Sequence, residues 1–289
     1  MKILKKIFGG IDLTWTKLII FAVAAGVYTA VCAIIPALHY TSFHSIVATF
    51  EVWIFFGIFI IMNSRSNKDS ALKCFVFFLI SQPLVYLLQV PFSWQGWELF
   101  RYYPLWFVWT VLCLPMGYIG YYIKKGKWWG YLILLPMILL TALEYSTYLS
   151  DMLFYFPKYL LIVIFCAAVM FVYPLALLDG KKIRIISAAV SAVLVIVLTV
   201  TVLLTPHIYT PEIMASNSEH TFDGTYRAYL ADEKYGGVEI RYDENFQEYV
   251  IKAEFRRGGN TTLVIEAPDG TKTEYDLRIE KDTYDVTKK

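Results

Sequence analysis

The chain is 289 residues long, 57% hydrophobic and 17% aromatic, and only 17% of it is charged, against roughly one quarter in a soluble domain. That composition excludes a fold bathed in water on every side and points to the membrane. The formal charge of +2 hides an asymmetry: residues 1–205 carry fifteen Lys and Arg against seven Asp and Glu, a net of +8, whereas residues 206–289 carry eleven against seventeen, a net of −6. Two different parts therefore join near Pro206.

A helix needs about 20 mostly apolar residues to cross the hydrocarbon core. Seven stretches qualify in chain order: 16–38, 44–62, 71–91, 102–123, 128–149, 158–178 and 184–205. The first follows a basic lead of Lys2, Lys5 and Lys6, as a signal peptide would, but its apolar run is too long and no small-residue cleavage motif follows, so it is expected to be a retained helix. Pro83, Pro115 and Pro136 fall inside their spans, where each removes a backbone hydrogen bond and favours a kink. Cys32, Cys74, Cys113 and Cys166 all lie in apolar segments. They read as small apolar fillers, with neither a disulfide framework nor zinc spacing. Between the third and fourth stretches, residues 92–101 (FSWQGWELFR) place Trp94, Trp97 and Phe100 three apart, which predicts an interfacial segment, with Glu98 and Arg101 able to pair.

Lys and Arg resist translocation, so short basic loops mark the cytoplasmic side. Basic clusters occur at the N-terminus and at 63–73, 124–127 and 181–184, and seven alternating crossings put all four on one side. The expected topology has the N-terminus in the cytoplasm and the C-terminal part outside the cell membrane.

The fold expected is thus a polytopic α-helical membrane bundle over 1–205, a linker over 206–220, and an extracytoplasmic antiparallel β domain over 221–289, a small sandwich or open barrel. Alternation appears at 225–230, 237–242, 248–255, 261–267 and 273–279, and Pro268-Asp269-Gly270 is the clearest hairpin turn. His207 and His220 fall in the linker, where they are expected to be solvated. The last residues, KDTYDVTKK, read as a frayed tail.

Ionisable residues inside membrane spans are expensive and face a bundle interior or a cavity. Glu51 sits seven residues into its stretch, about 10 Å below the outer boundary, and Glu144 lies at roughly 8 Å by the same 1.5 Å rise. His39, His44, Gln89, Glu98, Arg101 and Asp151 cluster near that outer end in sequence. Together with Glu51 and Glu144 they form a candidate polar chamber, in which paired carboxylates would shift each other's protonation. The competing role for Glu51 is a hydrogen-bonded carboxyl that fixes helix packing.

No phosphate-binding glycine loop, kinase signature, G-x-S-x-G, H-E-x-x-H or basic nucleic-acid patch appears. No cofactor, metal, nucleotide or nucleic-acid partner is expected, and short cytoplasmic loops leave no room for a nucleotide-driven pump. Three functions remain. The first is a multi-pass membrane protein presenting its β domain as a binding or sensing module, a subunit of an envelope complex being one form of it; its partners would be the lipid bilayer and an extracytoplasmic protein or the cell wall. The second is a transporter or channel using the outward-open polar chamber. The third is an exofacial enzyme acting on a lipid or lipid-linked substrate.

Overall fold

The computed structural model describes residues 2–39, 41–125, 128–217, 220–244 and 247–289. The chain divides into two compact units, 1–148 with 158–200, and 149–157 with 201–289.

In chain order the helices are α1 (Lys2–Ile7), α2 (Trp15–Ile34), α3 (Ser45–Ala48), α4 (Glu51–Met62), α5 (Asn67–Gln89), α6 (Tyr103–Gly120), α7 (Trp129–Phe154), α8 (Leu160–Leu177) and α9 (Lys181–Leu204). With their 3-10 extensions, six helical stretches among the described residues are long and apolar enough to cross a membrane: 15–34, 67–92, 96–124, 129–154, 160–177 and 181–204. Residues 44–62, expected as one crossing helix, are instead α3 and α4 separated by Thr49 and Phe50. At 1.5 Å per residue the 12 residues of α4 reach about 18 Å, short of a hydrocarbon core of about 30 Å. Pro83, Pro115 and Pro136 lie within α5, α6 and α7, each of which continues past its proline.

The first unit packs its helices by close backbone approach, as membrane helices do where small residues meet. A Cβ on Gly26 of α2 would stand 2.8 Å from the Ser81 carbonyl oxygen of α5, and one on Gly117 of α6 would stand 3.0 Å from Ala71 Cα. Ser70 Oγ seals the second crossing by donating to the Gly117 carbonyl at 2.8 Å. Aromatic rings fill the space between α2, α4 and α5: Phe21 meets Phe56 and Phe77 at 5.0 and 4.8 Å between centroids, and Trp53 meets Phe56 at 5.8 Å. Cys32, Cys74 and Cys166 are buried and Cys113 half-buried, all four as free thiols.

Asn63, just past α4, closes one end of this unit. Its Oδ1 accepts from the amides of Gly9 and Ile11 at 3.1 and 2.9 Å, and its Nδ2 donates to the carbonyls of Ile7 and Phe59 at 2.7 and 2.9 Å. Nearby, Tyr121 Oη donates to the Arg65 carbonyl, Lys124 Nζ to that of Ser64, and Arg65 pairs with Asp12 at 2.8 Å. That hydrogen bond and charge hold the Asp12 carboxyl below its ordinary pKa. Three of the four basic stretches thus meet at one end. Lys73, the last residue of the basic stretch 63–73, is buried and paired with Asp69 at 2.8 Å in the first turns of a helix that begins earlier than expected, at Asn67, capped by Ser66.

The second unit is a sandwich of two antiparallel sheets. Its strands are β1 (Glu212–Ala215), β2 (Arg227–Leu230), β3 (Gly236–Asp243), β4 (Glu248–Phe255), β5 (Gly259–Glu266), β6 (Lys272–Ile279) and β7 (Tyr284–Lys288). One sheet has the order β1-β4-β3 and the other β2-β5-β6-β7. The alternating residues Ile251, Ala253 and Phe255 of β4 face Leu263 and Ile265 of β5 and Tyr275, Leu277 and Ile279 of β6 in one buried cluster, the period-two pattern of strands with one covered face. Two strands lie where sequence gave no element. β1 falls within 206–220, and β7 occupies the expected tail, paired with β6 from Tyr275↔Lys288 to Ile279↔Tyr284. The Pro268-Asp269-Gly270 turn forms as expected: Gly270 takes φ +83 and Asp269 Oδ1 accepts from the Thr271 amide at 2.9 Å.

His220 is buried rather than solvated. Its ring stacks on Phe222 with centroids 5.9 Å apart, and its Nε2 lies 3.0 Å from Tyr275 Oη. Residues 149–157 complete this unit: Phe154 belongs to its core and accepts from the Gly258 amide at 2.9 Å. A Cβ on Gly258 would stand 2.2 Å from the Tyr155 ring, so the close approach demands glycine.

Candidate functional site

The break between α3 and α4 begins in local chemistry. Ser45 and Thr49 stand four apart around the β-branched pair Ile46 and Val47, and both hydroxyls turn back on the main chain, Ser45 Oγ to the Ser42 carbonyl at 3.0 Å and Thr49 Oγ1 to the Ser45 carbonyl at 2.5 Å. Such bonds compete with the helical ladder. Thr49 adopts an extended conformation, φ −118 and ψ 165, and the helix restarts at Glu51. In a membrane every freed backbone group needs a partner, and here Trp53 supplies one: its indole Nε1 donates to the Ile46 carbonyl at 2.8 Å.

Glu51, in the first turn of α4, is fully buried. Its Oε1 lies 2.9 Å from Thr49 Oγ1, which is itself 2.7 Å from Tyr148 Oη on α7. Glu51 Oε2 has no hydrogen-bond partner. A threonine hydroxyl has one proton to give. Thr49 Oγ1 has two acceptors within reach, the Ser45 carbonyl at 2.5 Å and Glu51 Oε1 at 2.9 Å. A buried carboxyl oxygen without a partner is costly in either protonation state.

The eight residues singled out in the sequence are spread over several settings. Glu144 is half-buried on α7, and among the described residues no hydrogen bond joins it to Glu51. His39 and His44 sit with ring centroids 4.8 Å apart, and His39 Nε2 lies 2.9 Å from the Ala33 carbonyl at the end of α2. Gln89 donates back to its own helix at Val85. Glu98 and Arg101 are exposed on the 3-10 turn Gly96–Tyr102. Asp151 belongs to the second unit, where it pairs with Lys281 at 2.6 Å. Among the described residues no hydrogen bond joins Glu51 to Gln89, Arg101 or either histidine.

The chain matches no family model, no curated protein and no solved structure. Its function must be read from its own residues. Sequence reasoning missed Thr49 and Tyr148, the two hydroxyls that attend Glu51. For Thr49 the sequence offers only a weak signal, a hydroxyl residue able to compete for the backbone two positions before the carboxylate. Tyr148 carried none, because its proximity arises from packing across 99 positions of chain. The space enclosed by the helices beside this site is an apolar cleft whose lining holds no charged side chain.

Proposed function

We propose that the protein is a multi-pass protein of the cell membrane that presents its C-terminal sandwich outside as a binding or sensing module. The observation that carries this reading is the second unit: seven strands in two sheets close over a core of their own, which is the build of a module that displays its strand faces and loops to a partner. Seven crossings underlie the topology, six long helices plus the broken stretch 45–62. That stretch starts beside the C-terminal end of α2 and ends at Asn63, bonded to residues 7–11 ahead of α2, so it runs back along the length of its neighbour. The meeting of the N-terminal segment, Ser64, Arg65 and Lys124 at one end supports a cytoplasmic face there.

In this reading Glu51 serves packing. It anchors the break through Thr49, which ties α4 to α7 by way of Tyr148, and the apolar lining of the neighbouring cleft offers no polar route for an ion. The sandwich's net negative charge makes adsorption to anionic headgroups unfavourable and favours a protein or cell-wall partner.

Two measurements on the full chain test the proposal. Protease added to intact cells should cut within 206–220 and release the sandwich; complete protection reverses the topology. A photo-crosslinking residue at Tyr229 or Tyr242, both exposed, should then form a discrete adduct with an envelope component. Absence of any adduct from both sheets would remove the binding role.

A further inference from the structure

The cleft beside α4 has a volume of about 500 Å³, within the 300–1,000 Å³ of ligand sites. It is long rather than round. It is lined by Phe50, just before α4, and by Trp53, Ile54, Gly57, Ile58 and Ile61 of α4, a single face at the helical period of 3.6, which from Phe50 to Ile61 stretches about 16 Å. Its back wall is closed: Trp53, Ile58, Ile61 and, on α5, Cys74 are at most 3% exposed. Its mouth is open. Met116 and Ile119 of α6 and Leu132 and Leu140 of α7 line the same cleft and are 38–52% exposed.

Gly57 shows that the space is not a packing accident. Gly26 and Gly117 lack side chains because another backbone presses on them, but a Cβ on Gly57 would meet nothing within 4 Å. Glycine inside a helix is unfavourable relative to alanine, and here its gain is room in the cleft. Apolar walls left bare lose their dispersion contacts, and water entering would find too few polar partners. The mouth lies on two helices long and apolar enough to cross a membrane, so what meets it is hydrocarbon.

We infer that this cleft binds the acyl chain of a membrane lipid, entering sideways between α6 and α7 and lying along α4. No charged side chain lines the cleft to take a headgroup, so the polar end of the lipid stays outside the mouth. The inference stands independently of the role given to the sandwich.

The test uses the full chain in nanodiscs containing a phosphatidylcholine with a diazirine in one acyl chain, with adducts mapped by peptide mass spectrometry after illumination. Adducts are expected on the back wall, at Trp53, Gly57 and Cys74, as well as on exposed positions such as Val193 of α9, which is 61% exposed. Gly57→Phe and the smaller Gly57→Leu point into empty space and should lower the back-wall adducts at least tenfold while leaving those at Val193 unchanged. The unchanged Val193 signal reports that each variant is still folded and embedded. Adducts confined to exposed positions in the wild type would overturn the inference, as would back-wall adducts that persist in both variants. Back-wall labelling by a photoactivatable sterol and not by the acyl probe would replace the chain with a polycycle and overturn it too.

Discussion

Each unit of this molecule buries a carboxyl group, and each satisfies it in a different way. In the sandwich, Asp243 at the end of β3 is 5% exposed and meets Lys252 of β4 at 2.6 Å, while Glu212 of β1 approaches the same ammonium at 3.2 Å. The hydrogen bonds that Lys252 donates to these carboxylates raise its pKa. In the helical unit, Glu51 is more deeply buried and its neighbours are Thr49 and, beyond it, Tyr148; no ion pair with a cation is seen for it among the described residues. The edge of a sheet can bring a lysine stem to the charge and leave its head near water. A membrane interior makes a charge expensive, and a carboxylic acid bonded to a hydroxyl is the cheaper arrangement.

The sharpest way to break this contrast is to put a charge where the helical unit has arranged to avoid one. Glu51→Lys should destabilise that unit by about 3 kcal/mol, the order expected for a lysine placed at membrane depth without a partner, whereas Glu51→Gln keeps the shape and a donor and should cost less than about 1 kcal/mol. Thermal unfolding of the purified full chain in detergent, followed by near-ultraviolet circular dichroism, separates the two. Equal losses for both variants would mean that the site requires an ionised carboxylate. The converse change in the sandwich is Lys252→Met, which keeps the stem and removes the charge, leaving Asp243 and Glu212 to repel each other. Hydrogen exchange of the full chain should speed up in β1, β3 and β4 and leave α4 and α7 as before. The effect should be smaller than that of Glu51→Lys, because Lys252 is partly solvated and water can stand in for it.

The same contrast explains what could be read in the sequence. Long apolar runs announce six helices because hydropathy needs no partner to be seen, and the alternation in 248–255 and 273–279 announces β4 and β6 for the same reason. The break within 44–62 was hidden because the composition is that of a continuous apolar helix, and composition is blind to the Ser45 and Thr49 hydroxyls that turn back on the main chain. β1 and β7 were missed because edge strands cover little apolar surface, Glu212–Ala215 showing one buried residue in four and Tyr284–Lys288 none. Of the candidate site, the burial of Glu51 was legible from its depth in an apolar stretch. Asp151 was not, since its partner Lys281 lies 130 residues further on.

The weakest of these effects concerns acid, and it falls on the sandwich. Asp223, Asp232 and Asp269 each accept hydrogen bonds within a turn, from Thr225, Lys234 and Thr271 respectively, and each carboxyl is held below its ordinary pKa for that reason. A carboxyl whose pKa is lower folded than unfolded takes up fewer protons in the folded state as the solution becomes acid. Its contribution to stability is present above the unfolded value, about 3.9, and is lost as pH falls through the lowered one. All three groups lie in solvent, so each contributes little. Together they predict that between about pH 5 and pH 2 amide exchange, corrected for its intrinsic pH dependence, quickens first at 223–226, 232–235 and 267–271. The helical unit, whose carboxyl at Glu51 is fully buried, should show no matching acid-side loss at Thr49 and Glu51. Acid-induced opening that began at the break instead would show that Glu51 holds its charge in the folded protein, and the contrast between the two carboxyls would then be one of partner rather than of protonation.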